Sequence, residues 1–331
     1  MRKAWFLSFL SIIIVLMLGG CVFMSEPPKV SDDPIQISLI EGSGGTAYSI
    51  LANGIAYSVE TSYPDSIVSI VLGNPSDNPI RVNNYSADFA LTSSASAFNS
   101  YKGINGFPLS TNIRVVATFN KSVLQFAINK KHGVKTFDEF ITQKPKVRLR
   151  VPLGSSIGIM FDQMLAEYNL TRADLEASGM EFLDVEQSSI AEMISQGYLD
   201  GYFTSSSVPA SLITQTFSST SMELISFSPQ LLQSMNTKHG YTKSTINSSA
   251  YSFLTADVPS LATHVLLIAN DKVSDEVVYK LSKALNENLE YIRTIMADLR
   301  EFESESYVES FNIPAHPGAT KYYEEIGIDL P

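Results

Sequence analysis

Four turns rich in serine, threonine and glycine follow apolar stretches of the sequence and precede helix-like ones. They cover residues 43–46, 92–96, 154–158 and 204–207. Hydroxyl groups supply rotatable donors, and glycine lets a ligand approach the backbone closely. A helix N-terminus adds free N–H groups and about half a positive charge, which favours anions. Together the four turns predict a cleft that binds a small anionic solute without a fixed cation.

Each turn by itself is also typical of a helix N-cap, so the prediction rests on the four turns occurring together. In open α/β sheets, ligands bind beyond the carboxyl ends of the strands, where these turns would lie. The hydroxyl groups predicted to reach the solute belong to Ser43, Ser93, Ser94, Ser155, Ser156, Ser206 and Ser207.

Two of the turns also match enzyme patterns. Residues 42–47 fit the dinucleotide fingerprint G-x-G-x-x-A, but the next apolar strand lacks the acid that would hold a ribose. Residues 154–158 fit G-x-S-x-G between a strand and a helix, the context of a nucleophilic serine. A secreted serine hydrolase, with Ser156 as nucleophile and His264 or His316 as base, is therefore an alternative to a binding protein that is not an enzyme. The apolar surroundings of His264 (THVLLIAN) favour a packing role.

Composition argues against metal and nucleic-acid sites. The four histidines are scattered and the chain has one cysteine, so no zinc-type spacing occurs, and the acidic residues are not grouped as in a calcium loop. We expect no metal and no cofactor. A formal charge of −11 disfavours nucleic acid, because phosphate contacts need clustered lysine and arginine.

The N-terminus has the order of a secretory signal. Arg2 and Lys3 precede an apolar stretch over residues 4–18, which is too short to span a bilayer, and Leu-Gly-Gly-Cys follows. This tetrapeptide resembles a bacterial lipobox, in which Cys21 takes a lipid and becomes the mature N-terminus. We expect a signal peptide over residues 1–20, a lipid-anchored polar linker over 21–34, and an extracytoplasmic protein held to the membrane of the cell envelope.

The remaining chain alternates apolar strands with helical patterns, which is typical of α/β sheets with mostly parallel strands. We predict two lobes, the first over residues 35–118, the second over 119–250, and a return to the first over 251–331. Expected strands include 113–119 and 124–128, and a long helical region covers 275–302. Thr136 is placed to cap a short helix at 137–141. Residues 215–250 give no clear pattern.

Several segments resemble the TAXI class of solute receptors of TRAP transporters. They are the opening IEGSGGTAYSILANGIA, Asp-Phe-Ala at 88–90, VPLGSSIGIMFDQMLAEYNL, SIAEMISQGYLDGYF, VVYKLSKALNEN and IPAHPGATKYYEEIG. The last segment, with His-Pro-Gly-Ala at 316–319, is the most specific. The likeness extends over about residues 35–327, and the order of the segments is more specific than any one of them.

The resemblance implies a type II periplasmic-binding-protein fold with a cleft between its lobes. It also implies a small organic acid or acidic amino acid as solute, and the subunits of a TRAP-type membrane permease as partner. A surface lipoprotein that senses a solute stays open as an alternative. The implied ligand contacts are Gly45, Thr46, Tyr48, Ser155, Ser156 and the loop at Val208 and Pro209. Ile157 and Gly158 depart from the Gly-Thr pair that is usual there, so the identity of the solute stays open.

Overall fold

The computed structural model describes residues 31–42, 47–153 and 155–330. The predictions for the signal peptide, for Cys21 and most of the linker, and for Ser43, Gly45 and Thr46 fall outside these residues. From Asp33 onward the chain forms one compact unit. No helix within the described ranges is long and apolar enough to cross a bilayer.

The described residues contain ten strands, which belong to one mixed sheet. The strands are β1 (Gln36–Ile40), β2 (Ile67–Val71), β3 (Phe89–Ser93), β4 (Ile113–Asn129), β5 (Arg148–Arg150), β6 (Glu181–Leu183), β7 (Gly201–Ser206), β8 (Met222–Leu224), β9 (Thr242–Ile246) and β10 (Val258–Asn270).

Twelve α-helices in the same part of the chain connect and cover these strands. They are α1 (Ala47–Ser62), α2 (Asn78–Asn83), α3 (Ser94–Lys102), α4 (Phe137–Gln143), α5 (Ser156–Ala166), α6 (Arg172–Glu176), α7 (Ile190–Ser195), α8 (Ser211–Ser219), α9 (Pro229–His239), α10 (Asp275–Glu287), α11 (Leu289–Ile295) and α12 (Pro317–Glu325). Thr136 caps α4 through a capping box with Glu139, as predicted.

Strand order divides the sheet into two groups that share two long strands. The order is β2-β1-β3-β10-β4-β7-β5-β6, with β8 on β4 and β9 on β10. Strands β1 to β3 pair in parallel, and so do β5 to β7. Strands β4 and β10 run through both groups: β10 pairs with β9 at its start and with β3 near its end. The chain is therefore the α/β, two-lobed type that the sequence predicts, with β4 and β10 as the connections.

Separate cores support the division into two lobes. The core of the first group contains Ile40, Ala90 and Leu266. In the second group, phenylalanine rings pack together around Phe126, whose ring centroid lies 5.2 Å from that of Phe140 and 5.6 Å from that of Phe203. The lobe limits at residues 118 and 250 stay predictions.

Two predicted elements differ from those observed. The strands expected at 113–119 and 124–128 are one continuous strand, because pairing with β10 carries β4 through its polar centre, where Lys121 lies opposite His264. The long helix expected over 275–302 breaks at Asn288, whose side chain donates hydrogen bonds to the carbonyl oxygen of Ser58 and the hydroxyl of Ser62. These contacts tie the break to α1.

Candidate functional site

Two of the serine-rich turns cap the helices that follow them. Ser93 caps α3, and its Oγ accepts a hydrogen bond from the backbone N–H of Ser96 at 3.0 Å. Ser155 caps α5, where its Oγ accepts a bond from the N–H of Gly158 at 3.1 Å. A Cβ on Gly158 would lie 2.0 Å from the carbonyl oxygen of Pro152, so only glycine fits there. This close approach sets the direction in which α5 leaves the turn.

A cavity of about 260 Å³ lies where these helices begin, and we call it the front cavity. Hydroxyl groups form much of its wall, and they come from Ser76, Ser93, Ser96, Ser122, Ser156, Ser205 and Thr263. The other residues on its wall are Tyr48, Ala95, Asn99, Phe107, Ile157, Ile159, Met160 and Tyr241.

The front cavity brings the two strand groups together. Ser93 and Ser96 belong to the first group, and Ser156 and Ser205 belong to the second. The turns at 92–96, 154–158 and 204–207 therefore meet at one cavity. The turn at 43–46 lies outside the described residues, but Tyr48, in the first turn of the helix after it, is on the wall.

The two long strands form a further part of the wall through Ser122 and Thr263. These residues pair directly across the antiparallel β4–β10 ladder. The hydroxyls of Thr263 and Ser94 lie 3.2 Å apart, and the hydroxyl of Ser94 also accepts a hydrogen bond from the N–H of His264 at 3.1 Å. Ser94 thus connects Thr263 and the backbone of His264 to the start of α3, and it does not itself line the cavity.

The front cavity is polar without charged side chains on its described wall. Helices α1, α3 and α5 all begin at it, and none of them has an acidic residue in its first turn. Their N-terminal partial positive charges are therefore not neutralised by their own side chains. Such an arrangement attracts negative charge through backbone N–H groups and hydroxyls.

Two tyrosines add protonated hydroxyls to this wall. Burial raises the pKa of Tyr48 to about 12, so its hydroxyl is a hydrogen-bond donor at neutral pH. Burial also raises the pKa of Tyr241, whose hydroxyl donates to Oε1 of Gln163 at 2.8 Å. Tyr241 is therefore fixed in place, and Tyr48 lies on the wall with its hydroxyl protonated.

Ser205 brings a buried, unpaired hydroxyl to the front cavity. Its Oγ is shielded from solvent and has no hydrogen-bond partner within the described residues. An unpaired buried hydroxyl costs about 1–3 kcal/mol, and a solute that bonds to it would recover this energy. The hydroxyl of the next residue, Ser206, instead accepts a hydrogen bond from Nε2 of Gln125 at 3.0 Å.

The predicted contact residues therefore separate into groups. Tyr48, Ser93 and Ser156 line the front cavity, whereas Ser94 and Ser155 brace the helices beside it. The hydroxyl of Ser206 bonds within the protein. Ser207 and Pro209 line another cavity, which contains neither Ser122 nor Thr263. The role of every one of these residues in binding stays a prediction.

Sequence patterns missed the contribution of the long strands. Ser122 and Thr263 are single hydroxyl residues inside apolar runs, and nothing in their local sequence indicates a ligand contact. Phe107 and Tyr241 were missed for a similar reason, since isolated aromatic residues are usually packed in a core. One signal could have identified the part of β4 that lies between the lobes. It is the polar interruption of a long apolar strand at Asn120, Lys121 and Ser122.

The geometry gives Ser156 no histidine partner in the described part of the front cavity. His264 is buried, with Nδ1 3.4 Å from the hydroxyl of Thr242 and Nε2 3.7 Å from Glu309. His316 caps α12 by accepting a bond from the N–H of Gly318. Neither ring lines the cavity, so neither is placed to act as the base that a nucleophilic serine needs.

No basic residue lines the described wall of the front cavity, and three basic residues that could otherwise pair with a carboxylate are already paired with protein carboxylates. Arg114 pairs with Asp271, Lys121 with Glu309 and Arg148 with Asp200. Arg150 donates to backbone carbonyl oxygens. The described residues also contain no group of three or more His, Cys, Asp or Glu side chains arranged to hold a metal ion.

Comparison with known proteins gives one family match and several distant structural neighbours. The model of the NMT1-like family matches residues 40–327. The chain is similar to PstS from Borrelia burgdorferi (9% identity, 80% of this chain and 97% of that chain covered, TM-score 0.49). It is also similar to the periplasmic aliphatic sulphonate binding protein SsuA from Escherichia coli (13% identity, 89% and 84% covered, TM-score 0.42). Because these TM-scores are low, the fold assignment rests on the strand order described above.

Proposed function

The chain belongs to the NMT1-like family, and from this premise and the front cavity we propose that it is an extracytoplasmic solute-binding protein. The observation that carries the proposal is the convergence of three helix N-termini and seven serine and threonine residues on one cavity between the two strand groups. A binding protein needs such a cavity where its lobes meet. A hydrolase would also need a base next to its serine.

We propose that the solute is a small organic acid or acidic amino acid. The unneutralised N-termini of α1, α3 and α5 favour a negative group, and hydroxyls such as those of Ser93 and Ser156 supply donors around it. The apolar side of the cavity, at Ile157 and Met160, suits a short carbon skeleton. A volume of about 260 Å³ fits a molecule of this size.

Binding is proposed to favour a closed arrangement of the two lobes. Ser93 belongs to the first group of strands and Ser156 to the second, so one solute that contacts both holds the lobes together. Strands β4 and β10 connect the lobes and are the places where the chain would bend. A ligand shifts such an equilibrium only by the contacts that it gains in the closed state.

The partner proposed for the loaded protein is a TRAP-type permease. The support is the likeness of the sequence segments to TAXI receptors, ending in His-Pro-Gly-Ala at residues 316–319. The lipobox-like sequence at Cys21 supports a lipid anchor that keeps the protein at the membrane surface. A surface lipoprotein that senses the same solute would share the cavity, and solute uptake by cells that lack this gene separates the two roles.

Isothermal titration calorimetry of the purified mature protein tests the proposed function. The panel contains succinate, malate, glutamate, aspartate, an alkanesulfonate and glucose. We expect heat of binding with at least one anion and none with glucose. Binding of glucose alone would refute the anionic solute. Labelling of Ser156 by a fluorophosphonate probe would instead support the hydrolase.

A further inference from the structure

A second and larger cavity lies on the other face of the two long strands, and we call it the rear groove. Its volume is about 740 Å³. Successive residues of a strand point to opposite faces. The pair Ser122 and Thr263 lines the front cavity, and the adjacent pair in the ladder is Lys121 and His264, of which Lys121 lines the rear groove. The two cavities are therefore separate sites with β4 and β10 between them.

The rear groove contains charges of both signs, whereas the described wall of the front cavity contains none. Its carboxylates belong to Asp298, Glu301 and Glu309, and its cations belong to Lys121 and Arg300. A ligand with one positive and one negative group matches such a surface better than an ion of a single sign.

A buried carboxamide belongs to the wall of this groove, next to Lys121, where a register shift in the β4–β10 ladder interrupts the regular alternation of side chains. Asn120 lines it and is only 8% exposed, yet its Oδ1 has no hydrogen-bond partner among the described residues. Buried side-chain polar atoms are hydrogen-bonded in the large majority of cases, so an unpaired one indicates a missing partner. A ligand with an N–H donor would supply that partner.

The charged side chains of the rear groove differ in whether they already have a partner within the protein. Glu309 accepts a hydrogen bond from Nζ of Lys121 at 3.1 Å and lies 3.7 Å from Nε2 of His264. Arg300 is exposed and has no ion-pair partner in the described chain. Arg300 is therefore the cation that is free to bind a carboxylate from outside the protein.

We propose that the rear groove is a second ligand site, which binds an α-amino acid with an apolar side chain. The ammonium group lies toward Asn120 and the carboxylates of Asp298 and Glu301, and the carboxylate lies toward Arg300. The side chain packs on the accessible apolar side chains of Val208 and Pro209. This site goes beyond the proposed function, because neither its position nor its ligand is that of the front cavity.

Calorimetry with three matched probes tests the charge requirement. L-phenylalanine carries both groups, 3-phenylpropanoate lacks the ammonium, and 2-phenylethylamine lacks the carboxylate. We expect L-phenylalanine to bind the full mature protein at least tenfold more tightly than either analogue. Equal binding of all three probes, or no binding of L-phenylalanine at millimolar concentration, would overturn the proposal.

Two variants and one control locate the site. Arg300→Gln and Asn120→Ala should each weaken the binding of L-phenylalanine by tenfold or more, and Ser156→Ala in the front cavity should leave it unchanged. Arg300 is exposed, so its variant should keep the thermal midpoint of the parent protein. Loss of binding in Ser156→Ala, with both rear variants unaffected, would place the amino acid in the front cavity and refute the rear site. Anion binding in the front cavity is measured separately, so a failure of the rear-groove proposal can be distinguished from a failure of the proposed function.

Discussion

Thr263 lies directly opposite Ser122 in the antiparallel ladder of the two long strands, and both residues line the front cavity. The same two strands connect the lobes. Solute contacts at this pair would therefore reach the place where we propose that the chain bends. The hydroxyl of Ser94, 3.2 Å from that of Thr263, links this point to the start of α3.

The adjacent serines Ser155 and Ser156 should respond differently to alanine. Ser156→Ala should weaken solute binding by about 1–3 kcal/mol if, as proposed, its hydroxyl becomes a buried donor when the solute binds. Its unfolding midpoint should stay that of the parent. Calorimetry and thermal unfolding measure the two effects.

Ser155→Ala is the matched control, because Ser155 caps α5 and is not on the cavity wall. It should lower the stability by about 1 kcal/mol through loss of the N-cap. Unchanged solute affinity in Ser156→Ala would remove Ser156 from the binding site.

Ser205→Ala should separate binding from stability. The hydroxyl of Ser205 is shielded from solvent and unpaired, so its removal should leave the free energy of unfolding unchanged or raise it by about 1 kcal/mol. Solute affinity should fall, since the bound molecule loses a partner. Urea unfolding and calorimetry measure the two quantities.

Ser260→Ala is the control for Ser205, because the buried hydroxyl of Ser260 donates to the carbonyl oxygen of Leu124. That variant should be less stable than the parent protein. A Ser205→Ala protein that is destabilised as strongly would show that the Ser205 hydroxyl already has a partner.

Asn78 should be required for the shape of the front cavity. Its Nδ2 donates to the carbonyl oxygens of Glu41 and Leu91, both at 2.7 Å, and the side chain is fully buried. It thereby joins the chain after β1 to the end of β3. Asn78→Ala should destabilise the protein by about 2 kcal/mol or more, since two buried carbonyl groups lose their donor.

Asn83→Ala is the comparison for Asn78, since Asn83 is only partly buried and lies at the other end of α2. Urea unfolding should show the larger loss for Asn78→Ala. Equal midpoints for the two variants would contradict the role given to Asn78.

Glu309 should make the stability of the protein depend on acid pH. The imidazole of His264, 3.7 Å away, and the charge and hydrogen bond of Lys121 lower the pKa of Glu309 from its usual 4.5 to about 2. A group with a lowered pKa stabilises the fold above its unfolded value and loses that contribution as pH falls through the folded one. Stability should therefore decline between about pH 4.5 and 2.

Glu309→Gln should show a smaller decline than the parent in urea unfolding over this range of pH. Asp200 contributes to the same decline, because its bonds from Lys131 and Arg148 outweigh its burial and lower its pKa. Parallel pH curves for the Glu309→Gln variant and the parent would show that Glu309 is not stabilised by its neighbours.

The sequence was sufficient to predict the two-lobed α/β fold and the meeting of the turns, because each turn follows an apolar strand and strand ends meet at one edge. It could not assign individual side chains within the turn at 204–207. Strand β7 continues to Ser206, so alternation brings Ser205 to the front cavity and directs Ser206 to Gln125. The direction of each side chain depends on the residue at which β7 ends. Sequence propensity does not predict the end of a strand to within one residue.

The contribution of β4 and β10 depends on pairing between distant parts of the chain. Ser122 and Thr263 are 141 positions apart in the sequence, and only the register of the sheet places them together. Similarly, the chain turns after Ser206, which brings Ser207 and Pro209 to the rear groove. Local sequence patterns do not indicate on which side of β4 and β10 the residues after such a turn will lie.

Calorimetry with a matched acid and amide tests the central claim most directly. The best-binding carboxylate of the panel is compared with its neutral carboxamide, which has nearly the same shape. If helix N-termini and hydroxyls such as those of Ser93 and Ser156 hold a negative group, the acid should bind at least 100-fold more tightly, which corresponds to about 3 kcal/mol. Equal or tighter binding of the carboxamide would contradict the account.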